Sequence, residues 1–440
     1  MNKFKRSLFI FHRDLRLEDN TGLIHALKSS ERVIPCFIFT PEQIEHNPYK
    51  GEKCLNFMLE ALYDLELQLN TKGGKLYFFR GKTHEIVEKC IEKLGVDAVY
   101  SNRDYTPYSV QRDKKIESVC KKKKVPFAQF DDALLHAPEE TLKANGEPYR
   151  IFTPFFNHAR EIPVSKPNRN PLKNYFQETI PFENKIQLPS SPSKRKACAK
   201  ILNENFSKYP EKTTHLSRYL KFTIYSPREI YWALCKKHTA HHPIIRQLFW
   251  RDFFCSIAFF FPHVFQGAFY PKYNKLKWSQ DKKAFKCWCE GRTGFPFVDA
   301  AMREMNATGF MPNRQRMAAA SFLIKDLHIN WRWGERYFAQ QLIDYDPAVN
   351  NGNWQWVAST GTDAQPYFRI FNPWNQQKKF DPDCLYIKKW IPELRSLPPK
   401  MIHTWFKKES HALCPTYPPP LVDHEKEAKA ALKRYRSCQK

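Results

Sequence analysis

Residues 330–373 read NWRWGERYFAQQLIDYDPAVNNGNWQWVASTGTDAQPYFRIFNP and lie in the most informative part of the chain. Tryptophan recurs in this stretch, and the acids Asp344 and Asp346 are soon followed by Asn350 and Asn351. From these residues alone, the acids could cap a helix or solvate a loop, and the tryptophans could fill a core. The chemistry of the stretch therefore has to be inferred from the rest of the chain.

A helical pattern extends outward from this stretch, from about residue 205 nearly to the C-terminus. Glycine weakens helix interiors, and it is scarce, with 14 residues in 440. We predict a terminal helix over Asp423–Arg436 and a buried helix in the apolar run Phe253–Phe265, which is too short to cross a membrane. Residues 206–440 are therefore predicted to form an all-α domain.

The first 130 residues instead alternate short apolar runs with longer amphipathic ones. Strands are predicted at Leu8–Phe11, Val33–Phe39, Leu76–Phe79, Ala98–Ser101 and Phe127–Phe130. Helical patterns lie near residues 52–70, 83–94 and 107–123. This alternation predicts a parallel, doubly wound α/β domain over residues 1–135. Neither G-x-G-x-x-G nor G-x-x-x-x-G-K-[ST] occurs, so neither a dinucleotide loop nor a Walker loop is predicted.

Residues 136–205 are predicted to form a long connector between the two domains. Prolines punctuate its polar second part, at Pro163, Pro167, Pro171, Pro181, Pro189 and Pro192. The basic triplet Lys194-Arg195-Lys196 follows. A nuclear address is one interpretation of this triplet, but a solvated linker is preferred.

The charge of the chain indicates an anionic partner. Lys and Arg number 71 against 45 Asp and Glu, which gives a formal net charge of +26. Cations on this scale are typical of nucleic-acid binding, because each phosphate that they neutralise releases counterions. Lysines spread evenly over the surface would explain the charge equally well. The charge therefore leaves the reaction open.

The cysteines predict neither a disulfide framework nor a metal site. The closest pair, Cys287 and Cys289, lacks the second pair or the histidine cluster that zinc requires. The N-terminus, MNKFKRSLFIFHRDLRL, has too short an apolar run for a signal peptide. We therefore expect a reduced, intracellular, soluble protein with no membrane partner. Cytoplasm and nucleus both stay open.

Several segments resemble the photolyase/cryptochrome family, and together they cover essentially the whole chain. Residues 293–327 (TGFPFVDAAMREMNATGFMPNRQRMAAASFLIKDL), 330–373 and 379–398 (KFDPDCLYIKKWIPELRSLP) resemble its flavin domain. IFHRDLRLEDN (10–20) is similar to its opening strand and loop, and RQLFWRDFF (246–254) to its substrate-side helix. The likeness is greatest to class I photolyases for cyclobutane pyrimidine dimers. It implies a Rossmann-like N-terminal domain, an all-α FAD-binding domain and a monomer.

The resemblance also implies the reaction, which is light-dependent DNA repair. In this family the electron that splits the dimer comes from photoexcited FADH⁻. Thr213, Thr214, His215, Leu216 and Ser217 resemble the family's phosphate-binding helix start. The other implied FAD contacts are Tyr209, Gln247, Arg251, Asn313, Arg316, Asp344, Tyr345, Asp346 and Asn350. Asp344 is expected to pair with Arg316, and Asn350 to face flavin N5 as a neutral amide.

Other matching positions concern the lesion and the electron supply. Trp250 and Trp356 are expected to receive the flipped dimer on flat aromatic surfaces. Asn313, Arg314, Met317 and Arg369 are the remaining implied DNA contacts. The stretch Asn313–Met317 lacks the two histidines typical of (6-4) photolyases, which favours cyclobutane dimers. Trp278, Trp331 and Trp354 match the family's chain of electron-transferring tryptophans.

One residue departs from the family pattern, and one stretch leaves the antenna chromophore undecided. Gln247, with Asn350 one of the two expected catalytic residues, stands where dimer-splitting members commonly carry Glu. The stretch Asn102–Tyr108 lacks the Asn-Glu pair of folate-binding members, so the antenna chromophore could be a deazaflavin or another flavin, or the site could be empty. A cryptochrome photoreceptor, a (6-4) photolyase and a non-catalytic DNA-binding protein are the alternatives.

Overall fold

A computed structural model describes residues 4–206, 213–239 and 242–438 of the chain. The chain divides into two compact units. The first unit comprises Met1–Lys50 with Leu55–Pro262, and the second comprises Gly51–Cys54 with His263–Lys440. The predicted domain limits at residues 135 and 205 stay predictions, because a division into compact units does not define them.

The first unit contains a five-stranded sheet. Its strands are β1 (Phe4–Phe11), β2 (Ser30–Phe39), β3 (Tyr77–Arg80), β4 (Ala98–Asn102) and β5 (Phe127–Phe130). They lie in the order β3-β2-β1-β4-β5 and all neighbours pair in parallel, as the sequence predicts. Leu8, Ile34 and Val99 are fully buried, as expected when helices cover both faces of a sheet. The strand order reverses between β1 and β4, and ligands of doubly wound sheets bind at such a point.

Ten helices precede residue 261 in the described part of the chain. They are α1 (Thr21–Ser29), α2 (Pro41–Ile44), α3 (Glu52–Thr71), α4 (Thr83–Leu94), α5 (Pro107–Lys122), α6 (Phe152–Ala159), α7 (Lys194–Leu202), α8 (Ser217–Lys221), α9 (Pro227–Cys235) and α10 (Pro243–Phe260). Helices α3, α4 and α5 confirm the predicted helical patterns. The buried helix predicted over Phe253–Phe265 ends at Phe260, because Pro262 disfavours helical backbone in the residue before it.

The basic triplet at residues 194–196 is not a solvated linker, so that interpretation is wrong. It forms the first turn of α7, and Ser193 caps the helix by accepting a hydrogen bond from the Lys196 amide at 3.2 Å. Lys194 Nζ lies 2.7 Å from Glu60 Oε2. The Arg195 guanidinium pairs with Glu229 and stacks on the Tyr225 ring at 4.1 Å. A charge run in the sequence does not reveal such partners.

The second unit is helical, as the sequence predicts. Its helices are α11 (Lys282–Glu290), α12 (Pro296–Thr308), α13 (Asn313–Ser321), α14 (Trp331–Gln341), α15 (Pro347–Ala358), α16 (Pro373–Phe380), α17 (Leu385–Trp390), α18 (Pro399–His403), α19 (Lys408–His411) and α20 (His424–Ser437). A π-helical turn, Phe322–Asp326, follows α13. Short 3₁₀ turns lie at Pro138–Thr141, Pro262–Phe265, Pro271–Lys275 and Pro392–Leu394.

Helix α20 confirms the predicted terminal helix. The Asp423 side chain caps it by accepting hydrogen bonds from the Glu425 and Lys426 amides. Within the second unit, His424 Nδ1 lies 2.5 Å from Asp326 Oδ1, and the buried Tyr435 hydroxyl donates to the Ala358 carbonyl at 2.6 Å. These contacts attach the helix to the turn after α13 and to the end of α15.

Among the described helices, none is long and apolar enough to cross a membrane. Across the same described residues, no group of three or more histidine, cysteine, aspartate and glutamate side chains is arranged to hold a metal ion.

Gly334 in α14 lies against the Trp354 indole. A methyl group at Gly334 would lie 2.2 Å from Trp354 Cη2 and 2.5 Å from Leu323 Cδ2. We expect Gly334→Ala to lower the free energy of unfolding by about 1–3 kcal/mol, the usual cost of an overpacked core, which thermal or denaturant unfolding would measure. Combining it with Trp354→Phe should recover part of this loss, because phenylalanine lacks the clashing ring atoms. An unchanged stability in Gly334→Ala would contradict the packing.

Candidate functional site

Helix α10 of the first unit carries three of the predicted site residues. The His242 side chain caps the helix, with Nδ1 accepting from the Ile244 amide at 3.3 Å. Gln247 is exposed and Trp250 half-buried, one turn apart along the helix. The Trp250 ring stacks on Phe152, with centroids 3.6 Å apart and planes within 8°. One face of the indole is therefore already covered within this unit.

Arg251 lies on the buried side of the same helix. Its Nη1 donates to the Ala133 carbonyl at 2.5 Å, whereas the buried Nη2 has no hydrogen-bond partner among the described residues. Burial raises the pKa of the neighbouring Asp252 to about 7, against the opposing effects of Arg251 and of the Leu135 amide. A buried guanidinium N–H without an acceptor is costly, so Arg251 is suited to an anionic or carbonyl-bearing ligand.

The predicted phosphate-binding segment, residues 213–217, leads into α8 in the first unit. The helix begins at Ser217, and Leu216 is its N-cap residue, which makes no side-chain capping bond. Thr214 Oγ1 accepts from the Leu216 amide at 3.4 Å, and His215 has φ of 55°. Thr213 and Thr214 are half-buried. The hydroxyl groups of Thr213 and Thr214 therefore do not cap this helix. Tyr209 lies outside the described residues.

Arg316 and Asp344 form the expected ion pair in the second unit. Arg316 Nη2 donates to both carboxylate oxygens of Asp344, at 3.1 and 2.9 Å. Arg316 Nε donates to the Met311 carbonyl at 2.6 Å, which fixes the guanidinium from its other side. The Asp344 side chain is buried, whereas that of Arg316 is about one quarter exposed at 26%. The pair thus holds a cation at a partly open position.

Asp346 caps helix α15. Its Oδ1 accepts from the Ala348 and Val349 amides at 3.1 and 3.2 Å, and the neighbouring Tyr345 is half-buried. The capping interpretation of this acid is therefore confirmed. Pro347 at the first helical position is likewise typical of a helix start.

Asn350 follows one turn later on α15. A backbone carbonyl of α14 orients its side chain. Its Nδ2 donates to the Glu335 carbonyl at 3.1 Å, and its backbone amide donates to the Asp346 carbonyl at 2.8 Å. With the amide nitrogen engaged in this way, the side chain offers its oxygen as an acceptor. The half-buried position leaves that oxygen within reach of a ligand.

A buried hydrogen-bond network adjoins Asn350 through Glu335, and the sequence did not predict its contacts. Asn351 Nδ2 donates to Glu335 Oε1 at 3.0 Å and to the Val264 carbonyl at 3.1 Å. Gln355 Nε2 donates to Asn351 Oδ1 at 3.0 Å, and Gln355 Oε1 accepts from the Phe269 amide at 2.8 Å. Asn351 was recognised only as a neighbour of Asn350, and its distant partners leave no signal in a single sequence.

The predicted DNA-contacting residues of the second unit lie on α13, on α15 and in the loop that follows α15. Asn313 is exposed at the start of α13, and its Nδ2 lies 3.6 Å from Met317 Sδ. The Arg314 guanidinium lies 4.5 Å from the centre of the Phe380 ring, and burial lowers the pKa of Arg314. Trp356 is half-buried, and Arg369 is exposed. The Trp356 carbonyl accepts from the Gln365 amide at 3.2 Å.

The three tryptophans of the predicted electron chain differ in exposure. Trp354 and Trp331 belong to one buried core, with 2% and 3% of their surfaces exposed, whereas Trp278 is half-buried at its edge. Trp354 also meets Trp288, a fully buried tryptophan that the sequence did not single out, with ring centroids 6.2 Å apart. Of the three predicted chain members, Trp278 is the one that solvent reaches best.

A second candidate site lies at the carboxyl end of the sheet in the first unit. His12 follows β1, Ser101 lies at the end of β4, and Arg112 is in α5. His12 Nε2, Ser101 Oγ and Arg112 Nη2 are all buried and lack hydrogen-bond partners within the described ranges. Burial, reinforced by Arg112, holds the pKa of His12 well below its usual value, so the ring is neutral at pH 7. Such unpaired polar atoms at the switch point indicate a ligand site.

Two family descriptions match the chain. Residues 7–172 match the family described as DNA photolyase, and residues 244–437 match the FAD binding domain of DNA photolyase. The chain therefore belongs to the DNA photolyase family.

Individual relatives are similar to this chain over nearly its full length. The deoxyribodipyrimidine photo-lyase of Alkalihalophilus pseudofirmus is 35% identical over 96% of both chains. The solved structure of an archaeal photolyase from Sulfolobus tokodaii, described as holding two FAD molecules and implying a novel light-harvesting cofactor, is 41% identical. It covers 98% of this chain and 100% of its own, with a TM-score of 0.89. A class III photolyase from Agrobacterium tumefaciens is 32% identical, covering 99% and 98%, with a TM-score of 0.90.

Proposed function

We propose that this chain is a light-dependent DNA-repair enzyme that binds FAD and splits cyclobutane pyrimidine dimers. The observation that carries the proposal is the similarity to deoxyribodipyrimidine photo-lyases over 96% or more of the chain. The net charge of +26 supports a DNA substrate. When bound, reduced FAD supplies the electron that opens the dimer after light absorption.

The residues of this chain would hold and orient that cofactor. The proposed contacts are Thr213, Thr214, His215, Leu216, Ser217, Gln247, Arg251, Asn313, Arg316, Asp344, Tyr345, Asp346 and Asn350, and Tyr209 stays a prediction. Arg251 Nη2 offers a buried donor that lacks an acceptor in the described part of the chain. Asp344 holds the Arg316 guanidinium in place through two hydrogen bonds. The Asn350 amide oxygen can accept a hydrogen bond from a flavin ring N–H without adding charge.

The lesion would be held by aromatic side chains and cations. We propose that Trp250 and Trp356 contact the flipped dimer and that Arg314 and Arg369 contact phosphates. Asn313 and Met317 would contact the lesion itself. The absence of histidine from residues 313–317 supports cyclobutane dimers rather than (6-4) photoproducts. Gln247, which we propose as a catalytic residue with Asn350, can both donate and accept a hydrogen bond but carries no acidic proton.

A repair assay with a defined lesion tests the proposed function. The FAD-loaded protein is reduced chemically, bound to an oligonucleotide with one thymine dimer and illuminated with blue light. Recovery of intact thymines per absorbed photon is the expected result, and a (6-4) lesion in the same sequence should stay unrepaired. No thymine recovery from bound, reduced protein would favour a cryptochrome photoreceptor, and repair of the (6-4) lesion alone would favour that class of photolyase.

We further propose that the carboxyl end of the sheet binds a second FAD as the antenna chromophore. The unpaired atoms of His12, Ser101 and Arg112 support a ligand there, and the Sulfolobus tokodaii relative is described with two FAD molecules. The ligand would form hydrogen bonds with these three buried atoms, which lack partners among the residues that the structure describes.

Counting the flavin tests this second site. FAD-reconstituted protein should release two FAD per chain on heating, and Arg112→Leu should lower this to about one, because the buried Arg112 Nη2 donor is lost. Arg160→Leu is a matched control at an exposed arginine of the first unit that pairs with Glu161, and it should retain two. One FAD per chain in the unsubstituted protein after reconstitution would rule the proposal out.

A further inference from the structure

Among the aromatic rings described next to Trp250, that of Phe152 lies nearest. The two rings are nearly parallel, 8° apart in plane, with centroids separated by 3.6 Å. Phe152 begins helix α6, in the segment that the sequence predicts to be a connector, and nothing in the sequence links it to Trp250. It is 1% exposed, so it cannot itself touch DNA to any useful extent.

Other contacts fix the Phe152 ring in place. The Arg246 guanidinium carbon lies 5.0 Å from the Phe152 ring centre and 4.9 Å from that of Phe156, a residue of the same helix. Phe253 meets Phe152 edge to face at 5.7 Å. Arg246 and Trp250 are four residues apart and so share one face of α10. Phe152 thus contacts both a cation and an indole from that face.

The stack restricts what Trp250 can present to a ligand. Phe152 covers one face of the indole. Phe253 meets the indole at 83° with centroids 5.7 Å apart, and Phe254 lies at 5.4 Å with its ring tilted by 30°. A partner can therefore contact only the part of the half-buried Trp250 indole that these three rings leave uncovered. Because an indole packed on one face has fewer rotamers to lose on binding, this arrangement prepares the ring for a flat apolar partner.

We propose that Phe152 is a positioning residue that holds Trp250 in the orientation in which it recognises the pyrimidine dimer. This inference rests on the proposed function and on the proposed role of Trp250. Its consequence is that preference for damaged over intact DNA depends on a buried ring that contacts neither the dimer nor the cofactor.

The test compares two buried phenylalanines of one helix in the FAD-loaded protein. Phe152→Met keeps an apolar side chain but removes the flat ring, and Phe155→Met does the same at a residue that packs on Phe253 at 5.3 Å. Phe155 is also 1% exposed. We expect Phe152→Met to weaken binding of a thymine-dimer oligonucleotide about two- to tenfold, the range of an aromatic pair, with binding of the intact oligonucleotide unchanged. Phe155→Met should leave the ratio of the two affinities unchanged. Phe152→Tyr, which keeps the ring, should have the same ratio as the unsubstituted protein.

A double-mutant cycle separates positioning from general loosening of the fold. In a Trp250→Ala background, Phe152→Met should have no further effect on dimer affinity, because the ring that it positions is gone. Equal losses from Phe152→Met and Phe155→Met, or a full additional loss in the Trp250→Ala background, would overturn the inference. If Phe152→Met fails to fold with FAD, Phe152→Leu takes its place in the same comparison.

The controls also separate this inference from the proposed function. If the unsubstituted protein shows no preference for the dimer, the proposed function fails. If that preference is present and Trp250→Ala abolishes it but Phe152→Met does not, the positioning inference alone fails. A preference that survives Trp250→Ala removes the proposed role of Trp250, and the inference with it.

Discussion

Trp356→Ala should weaken binding of thymine-dimer DNA by about 5- to 150-fold, since one lost base–aromatic stack costs about 1–3 kcal/mol. The side chain is half-buried at the edge of the second unit's core, so part of its surface is available to a flipped base. Binding of intact DNA should change little, because that binding depends on phosphate contacts and not on an aromatic surface. Titrations of both DNAs at several salt concentrations measure the two effects separately.

The salt dependence makes this prediction sharper. Trp356→Ala should lower dimer affinity by a similar factor at every salt concentration, whereas Arg369→Ala, at an exposed cation, should reduce the slope of affinity against salt. Trp390→Ala is a control on a half-buried tryptophan of α17 that the resemblance does not place at the lesion. Unchanged discrimination between damaged and intact DNA in Trp356→Ala would remove this residue from the lesion site.

Local patterns predicted the fold of this chain well. The five strands and the helices α3, α4 and α5 were visible because buried strands of a parallel sheet are short apolar runs, and amphipathic helices separate them. The basic triplet, residues 194–196, shows where local patterns are not sufficient. A run of charges looks the same whether it is solvated or, as for Arg195, paired with a carboxylate from a helix later in the chain.

The candidate site depended on the resemblance more than on local pattern. The pairing of Arg316 with Asp344 joins residues far apart in the chain, and only the family likeness indicated it. The Phe152–Trp250 stack and the Glu335–Asn351 bond had no such guide, and the sequence missed both. Contacts between distant segments leave no periodicity, so a single sequence contains no direct signal for them.

Trp278→Phe should nearly abolish light-driven reduction of bound, oxidised FAD by an external thiol, while leaving dimer splitting by chemically reduced protein intact. Trp354 and Trp331 are almost fully buried, so within the proposed chain an external donor can reach only the half-buried Trp278. Phenylalanine fills most of the space but is far harder to oxidise than an indole, so the relay stops there. Under the proposed function repair would not use these tryptophans, because the cofactor would supply its electron to the lesion directly.

Trp288→Phe is the matched control for this experiment. Trp288 meets Trp354 at 6.2 Å, but it is fully buried, so it offers no route to an external donor by itself. We expect this variant to keep light-driven reduction at close to the original rate, provided that its FAD content is unchanged. Absorption spectra during blue illumination follow the reduction, and thymine recovery follows the repair. Loss of repair in chemically reduced Trp278→Phe, or loss of photoreduction in Trp288→Phe with Trp278→Phe unaffected, would show that electrons enter this protein by a path other than the proposed one.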